Sequence, residues 1–409
     1  MIKLNTKTSW VAALGLSLSL LAADVAAEPA QLTPRQYERL AQLSDAFNEQ
    51  LLDEVLEKGY DYYRRPRGNE QQRAFIRAFL ARILAQAHQQ QDDLEAAAAI
   101  LKRSLQMAEL LDQETHQALL WMLVQVYVAQ AEYQLALEQL ERWWTLEPEP
   151  AAEAEYLRAA LLAQLERWSD AEPWIRSALD RSEPPRASWL GLAVAVFQQQ
   201  EKWSQAVAYQ ALRVEQQPQV ARLWIQLAQL QQLAGDLDEA LVTQELAQRR
   251  GHLNLRQQER LARALLHAEQ PLRAAKVLEE LLQAQQSQNQ DLNLDQLALA
   301  AQAWMQTHKP QPTLLALQRL AKASQKPEDW QRLGRWLFSQ GQWQAALDAW
   351  GEYLSLPGAE EKPQVHLLMA NAYIELGKLE QARKKLQPLL ESSQATAAGQ
   401  WLNYLEALN

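Results

Sequence analysis

Residues Pro327 to Trp350 read PEDWQRLGRWLFSQGQWQAALDAW, and they decide the fold. Trp330, Leu333 and Gly334 fall on one face of a first helix, Gly341 marks a turn, and Trp343, Ala346 and Trp350 fall on one face of a second helix. The small residues Gly334 and Ala346 let two helices approach, while the large ones fill the groove toward neighbours. The pattern recurs at Met369, Ala370, Tyr373, Gly377, Leu379, Ala382 and Leu386. Upstream it recurs at Trp224, Leu227, Ala228, Gly235, Leu237 and Ala240, and at Phe197, Trp203, Ala206 and Pro218.

Working outward, a small residue recurs on the second helix at Ala97, Ala136, Ala171, Ala206, Ala240, Ala274, Ala346 and Ala382, with Thr313 in the remaining slot. Twelve residues before each stands a first-helix anchor: Ala85, Val124, Ala159, Val194, Ala228, Ala262, Ala301, Gly334 and Ala370. A period of about 34 residues is that of stacked two-helix units. No stretch alternates as strands do, so the chain is expected to be all-α. The expected organisation is a leader over residues 1–27, a degenerate helical repeat over 28–77, an α-solenoid of nine repeats over 78–395 and a capping helix over 396–409. Glutamine takes an apolar slot at Gln210, Gln231 and Gln244. Two longer intervals place insertions at Leu110–Gln117 and Gln283–Gln290, expected as surface loops, with a partner-contacting loop as the alternative.

The pairing resembles the tetratricopeptide repeat (TPR), a two-helix unit with a W-x2-L-G-x2-Y, then A, then P pattern. That resemblance implies an α-solenoid of nine to ten repeats whose first helices line a concave, protein-binding surface.

Composition narrows the function. Of 409 residues, 50 are acidic and 40 basic, 12 are Gly and none is Cys. Without cysteine there is no disulfide, thiolate metal site or cysteine nucleophile. Sparse glycines with no GxG pair argue against phosphate-cradling loops. A net charge of −10 argues against nucleic acid, whose binders concentrate Lys and Arg. His88, His116, His252, His267, His308 and His366 form no metal spacing, so no metal, cofactor or catalytic residue is expected.

Lys3 and Lys7 precede an uncharged stretch from Thr8 to Ala23, then Val25-Ala26-Ala27. A basic start, a short apolar run and small residues before the cut describe an export leader cleaved after Ala27. The expected address is the periplasm of a Gram-negative bacterium, with no transmembrane segment after cleavage; a retained anchor is the alternative.

The residue after each first-helix anchor should turn toward the groove: Gln86, Gln125, Ala160, Ala195, Gln229, Arg263, Gln302, Arg335 and Asn371. Side-chain amides can pair an extended peptide's backbone, and arginines add charge-assisted contacts. Trp121 and Tyr156 flank this row and either stack on a ligand or pack on neighbouring repeats. Trp168, Trp203, Trp224, Trp304, Trp330, Trp343 and Trp350 are expected to pack between repeats. Arg64, Arg65 and Arg67, just after Tyr60, Tyr62 and Tyr63, form a candidate basic loop for an acidic partner or lipid head groups.

The segment Gln244–Leu282, with Ala247-Gln-Arg-Arg-Gly251-His-Leu253, Leu261-Ala262-Arg263 and Pro271-Leu-Arg-Ala274-Ala275, is similar to periplasmic TPR proteins encoded beside TonB-ExbB-ExbD energy-transduction systems. The ending Gln400-Trp401-Leu402-Asn403-Tyr404-Leu405 is similar too. The resemblance implies a non-catalytic scaffold accessory to TonB-dependent uptake of iron chelates. A scaffold for outer-membrane or polysaccharide-export assembly, and more remotely a cell-wall enzyme, are the alternatives.

Overall fold

A computed structural model describes residues 32–147, 149–287 and 292–407. The leader assigned to residues 1–27 lies outside them. The described residues form helices and short turns only, and two compact units divide the chain: Met1–Pro218 and Gln219–Asn409.

In the first unit the helices pair in order: α1 (Pro34–Asn48) with α2 (Leu52–Arg64), α3 (Glu70–Gln90) with α4 (Leu94–Leu105), and α5 (Gln113–Ala129) with α6 (Tyr133–Trp144). α7 (Ala152–Gln164) and α8 (Trp168–Asp180), then α9 (Ala187–Gln199) and α10 (Trp203–Gln216), complete it. The second unit pairs α11 (Ala221–Ala234) with α12 (Leu237–Arg249), α13 (Leu255–His267) with α14 (Pro271–Ser287), and α15 (Leu294–Met305) with α16 (Pro310–Ser324). α17 (Pro327–Ser339) and α18 (Trp343–Ser355), α19 (Pro363–Glu375) and α20 (Leu379–Leu386), and a closing α21 (Ala395–Ala407) follow. Within each unit a helix packs on its pair mate and on the next pair, the nearest-neighbour logic of a solenoid.

All eighteen anchors are buried, from Ala85 and Ala97 through Gly334 and Ala346 to Ala370 and Ala382. Around them Leu101, Leu119, Leu123 and Phe197 are fully enclosed, each such burial contributing about 1.5–3 kcal/mol. Trp224, Trp304 and Trp350 are buried, whereas Trp168, Trp203, Trp330 and Trp343 are half-buried.

The turn inside each pair is the same throughout. Five residues before the second-helix anchor the backbone enters the left-handed region, at Asp92, Ala131, Glu166, Glu201, Gly235, Glu269, His308, Gly341 and Gly377. In most pairs the following N–H donates back to a carbonyl five residues earlier, as Glu132 N to Tyr127 O at 2.9 Å and Asp236 N to Gln231 O at 2.8 Å, which closes the first helix. Gln50 (φ 62°) and the bond from Leu51 N to Ala46 O reproduce this turn between α1 and α2, with Val55 fully buried in the anchor slot. The N-terminal segment is therefore a tenth pair, anchored by Val55 and, in place of a small residue on the first helix, by Leu43.

The sequence expectations and the helices differ at three places. α3 runs through residues 77 and 78, so the first small-anchored pair starts at Glu70. Of the expected loop Leu110–Gln117, Gln113–Gln117 is instead the first turn of α5, because the Asp112 carboxylate accepts the Thr115 N–H at 2.8 Å and starts the helix there. Of the expected loop Gln283–Gln290, residues 283–287 extend α14, since that run holds no Gly or Pro and Gln285 is buried, and residues 288–290 lie outside the described residues. At the far end α21 brings Ala398 and Leu405 into the core of the last pair beside Ala370, Ala382 and Leu386.

Candidate functional site

The expected groove row behaves differently in the two units. In the first, Gln86, Trp121 and Gln125 are half-buried and Tyr156 is buried. The Tyr156 ring stacks on Trp189 at 5.1 Å and 11°, and burial pushes its hydroxyl pKa up to about 12. Trp121 lies against Trp143 at 5.0 Å. Both aromatic rings thus pack on other rings of the unit. The contacts continue from Trp143 to Trp144 and from Trp144 to Trp174, with the Arg158 guanidinium 5.2 Å from the Trp144 ring centre and 4.2 Å from that of Trp174.

In the second unit Gln229, Arg263, Gln302 and Arg335 are exposed and Asn371 is half-buried. An open cleft of about 520 Å³ brings Arg263 and Gln302 together. First helices and the residue that caps α15 build it: Arg263 stands on α13, Arg332 on α17, and α15 with its cap Gln306 lies between them in chain order. Ala298, Leu299 and the exposed Met305 supply its apolar surface, while Gln302, Gln306 and Asp295 supply polar groups.

The depth has a local cause. Three residues before the anchor, α13 carries Glu259 and α17 carries Gln331, but α15 carries Ala298. Ala298 lines the cleft whereas Glu259 and Gln331 do not, so the short side chain is what leaves room there. Gln229, Arg335 and Asn371 stand outside this lining; the Arg335 Nη2 donates instead to Gln364 Oε1 at 3.3 Å.

Arginine geometry at the cleft is held from behind. Glu259 accepts from Arg263 Nη2 at 2.8 Å and Nε at 3.2 Å, and from Gln296 Nε2 at 3.4 Å. The Arg263 bond, working against desolvation, holds the Glu259 carboxyl below its ordinary pKa. Arg332 Nη1 meets Asp329 at 3.3 Å. Both guanidinium groups remain about half exposed, so each keeps N–H donors free for a ligand while a carboxylate fixes its position. The row of +1 positions pointed to Arg263 and Gln302; it missed Met305, Arg332 and Ala298, the last of which is signalled by its small size beside Glu259 and Gln331 at the same register of the adjacent repeats.

Elsewhere the buried Glu155 and the half-buried Glu172 are paired within the fold. Glu155 accepts from Ser177 and Arg181, and Glu172 from Arg176 and Lys202. Burial pushes the Glu172 carboxyl up, but the Lys202 and Arg176 bonds together bring it below its ordinary value. A general acid needs the opposite shift. Among the described residues no group of three His, Asp or Glu side chains is placed to hold a metal, and no helix is long and apolar enough to cross a membrane.

Arg64, Arg65 and Arg67 are exposed where α2 ends and the chain turns into α3. Arg64 lies 5.9 Å from the Tyr60 ring centre.

No protein family model matches the sequence, and no curated protein does. Solved structures offer distant likenesses. A tetratricopeptide repeat protein from Parabacteroides merdae is 17% identical at a TM-score of 0.39, covering 66% of this chain and 99% of that one. YrrB, described as a TPR protein with an unusual peptide-binding site, is 18% identical at 0.37, covering 47% and 91%. MamA from Desulfovibrio magneticus RS-1 is 18% identical at 0.36, covering 43% and 95%. Likenesses of this size carry no weight beside the chain's own geometry. That geometry is an all-α array of TPR-type helix pairs, defined by small-residue anchors and a recurring left-handed turn.

Proposed function

We propose that the chain is a non-catalytic scaffold that holds an extended segment of a protein partner in the cleft between α13, α15 and α17. One observation carries this: two half-exposed arginines on opposite walls, each positioned by its own carboxylate, flank an apolar hollow with amides beside it. Amides meet a peptide backbone, the hollow takes one apolar side chain, and the arginines take flanking carbonyls or carboxylates.

The finer reading is a periplasmic scaffold accessory to a TonB-ExbB-ExbD system serving iron-chelate uptake. Its support is the leader-like first 27 residues and the sequence similarity of Gln244–Leu282 and Gln400–Leu405. A photo-crosslinking residue in place of Met305, exposed at the cleft, tests both levels in iron-starved cells. Capture of TonB, ExbB or ExbD supports the full proposal. Capture of outer-membrane or polysaccharide-export assembly proteins keeps the cleft and moves the function to that system. Capture from Gln125 but not from Met305 removes the cleft.

A further inference from the structure

A second, independent surface lies at the corner between α2 and α3. The chain is acidic overall, and many of its arginines are matched to carboxylates: Arg39 with Asp61, Arg176 with Glu172, Arg273 with Glu245. At this corner they are not. Among the described residues Arg64, Arg65 and Arg67 lie within ion-pair distance of no carboxylate, nor do Arg35 and Arg73 in the first turns of α1 and α3. Five exposed cations therefore lie at this corner without a carboxylate partner among the described residues, Arg64 having only the Tyr60 ring 5.9 Å away.

The loop carrying them is fixed from inside. The buried Gln36 amide donates through Nε2 to the Arg67 carbonyl at 2.7 Å, tying α1 to the loop. The Asn69 side chain accepts the Gln72 N–H at 2.8 Å and Gln72 Oε1 accepts the Asn69 N–H at 3.0 Å, which caps α3. Gly68 sits between at φ +118°, where a β-carbon would stand 2.8 Å from Gln36 Nε2 and 3.0 Å from Gln72 Cβ. These bonds hold the loop backbone from within the chain, which removes part of the cost of binding.

We propose that Arg64, Arg65 and Arg67, flanked by Arg35 and Arg73, form a docking surface for an acid-rich extended segment of a protein partner. Charge complementarity selects the class, and guanidinium groups suit carboxylates because each offers paired donors. A strand fits better than an anionic membrane. A net charge of −10 opposes adsorption to an anionic surface, whereas a short acidic strand needs only the corner.

The test uses the full chain and two fluorescent 12-residue probes, one alternating Glu and Ser and one alternating Gln and Ser. The Glu probe should bind, its affinity should fall as salt rises from about 50 to about 300 mM, and the Gln probe should bind at least about tenfold more weakly. Arg64→Glu with Arg65→Glu and Arg67→Glu should lower Glu-probe affinity about tenfold or more, while Arg249→Glu, exposed on the other unit, leaves it unchanged. Circular dichroism checks that helicity is kept; if charge reversal disturbs the corner, the triple Arg→Gln variant carries the same expectation. Equal affinity for the triple variant and the parent overturns the proposal. So does equal weakening by Arg249→Glu, or binding to phosphatidylglycerol vesicles without binding to the Glu probe.

Discussion

The Gly334 backbone lies against the Trp350 indole so closely that a β-carbon on residue 334 would stand 2.5 Å from Cδ1 and 2.8 Å from Cε2. The other eight small-anchored repeats carry Ala or Val at the position of Gly334, and none carries tryptophan at the position of Trp350. Glycine on the first helix and tryptophan on the second are one packing solution. Gly334→Ala should therefore destabilise the second unit by about 1–3 kcal/mol, the usual cost of overpacking, despite alanine's better helix propensity. Trp350→Leu, which restores the residue type of Leu101, Leu140, Leu317 and Leu386 in that slot, should relieve the alanine. A double-mutant cycle on urea midpoints measures the coupling, and additive losses would mean that the two residues are independent.

That pair also shows what the sequence could disclose. Helix pairs are legible where small residues mark the contact, because only they permit the approach and they recur at a fixed period. Leu43 occupies the first-helix slot of the first pair, where every other repeat has Gly, Ala or Val, so the tenth repeat lacks half of the signal. The turn is hidden for a similar reason. Only Gly235, Gly341 and Gly377 announce it, while Asp92, Ala131, Glu166, Glu201, Glu269 and His308 hold the same backbone without glycine. In the candidate site Arg263 and Gln302 follow from their register, but the hollow follows from what α15 lacks beside its neighbours. A repeat average erases that difference.

Those non-glycine turns set up a stabilising substitution. Ala131 at φ 60° and Glu201 at φ 56° are exposed, and a β-carbon in the left-handed region costs about 1–2 kcal/mol. Glycine removes that strain but adds freedom to the unfolded chain worth about 0.4–1 kcal/mol. Ala131→Gly and Glu201→Gly should each raise stability by up to about 1 kcal/mol, read as an upward shift in the thermal midpoint. A loss of stability in both would show that the turn bears no strain.

Thr313 stands where the other repeats have alanine, and its hydroxyl explains the exchange. In the neighbouring pairs a main-chain N–H closes the turn onto the carbonyl nine residues before the anchor, as Gln342 N does to Leu337 O at 3.0 Å. At Trp304, the equivalent carbonyl, Thr313 Oγ1 lies 2.9 Å away and the Lys309 carbonyl is 2.8 Å from the same hydroxyl. Together with the Thr307 hydroxyl, 2.7 Å from the same carbonyl, the Thr313 side chain stands where a backbone N–H donates in the neighbouring pairs. Thr313→Ala should cost about 1 kcal/mol. Thr313→Val should cost more, because it sets a methyl group against those carbonyl oxygens. Urea midpoints falling in the order parent, alanine, valine would bear this out, and an unchanged midpoint for alanine would remove the bond from the account.

Acid should weaken both units through one histidine in each. Burial lowers the His116 pKa, with Arg142 adding repulsion; burial likewise lowers that of His366, with Lys385 adding and Glu361 opposing. His366 Nε2 is moreover a buried atom without a hydrogen-bond partner. Since both imidazoles titrate below the 6.5 of an unfolded histidine, the unfolded chain binds more protons around and below that pH. Their contribution is fully present above about pH 6.5 and is lost as pH falls toward the folded values. A second decline begins below about 4.5, where Glu172 and Glu259, held low by their arginine and lysine partners, take up protons. The thermal midpoint should therefore drop from pH 7 to about 5, and His116→Gln with His366→Gln should flatten that part of the profile while leaving the lower decline intact. An unaltered slope in the double variant would assign the acid sensitivity to other groups.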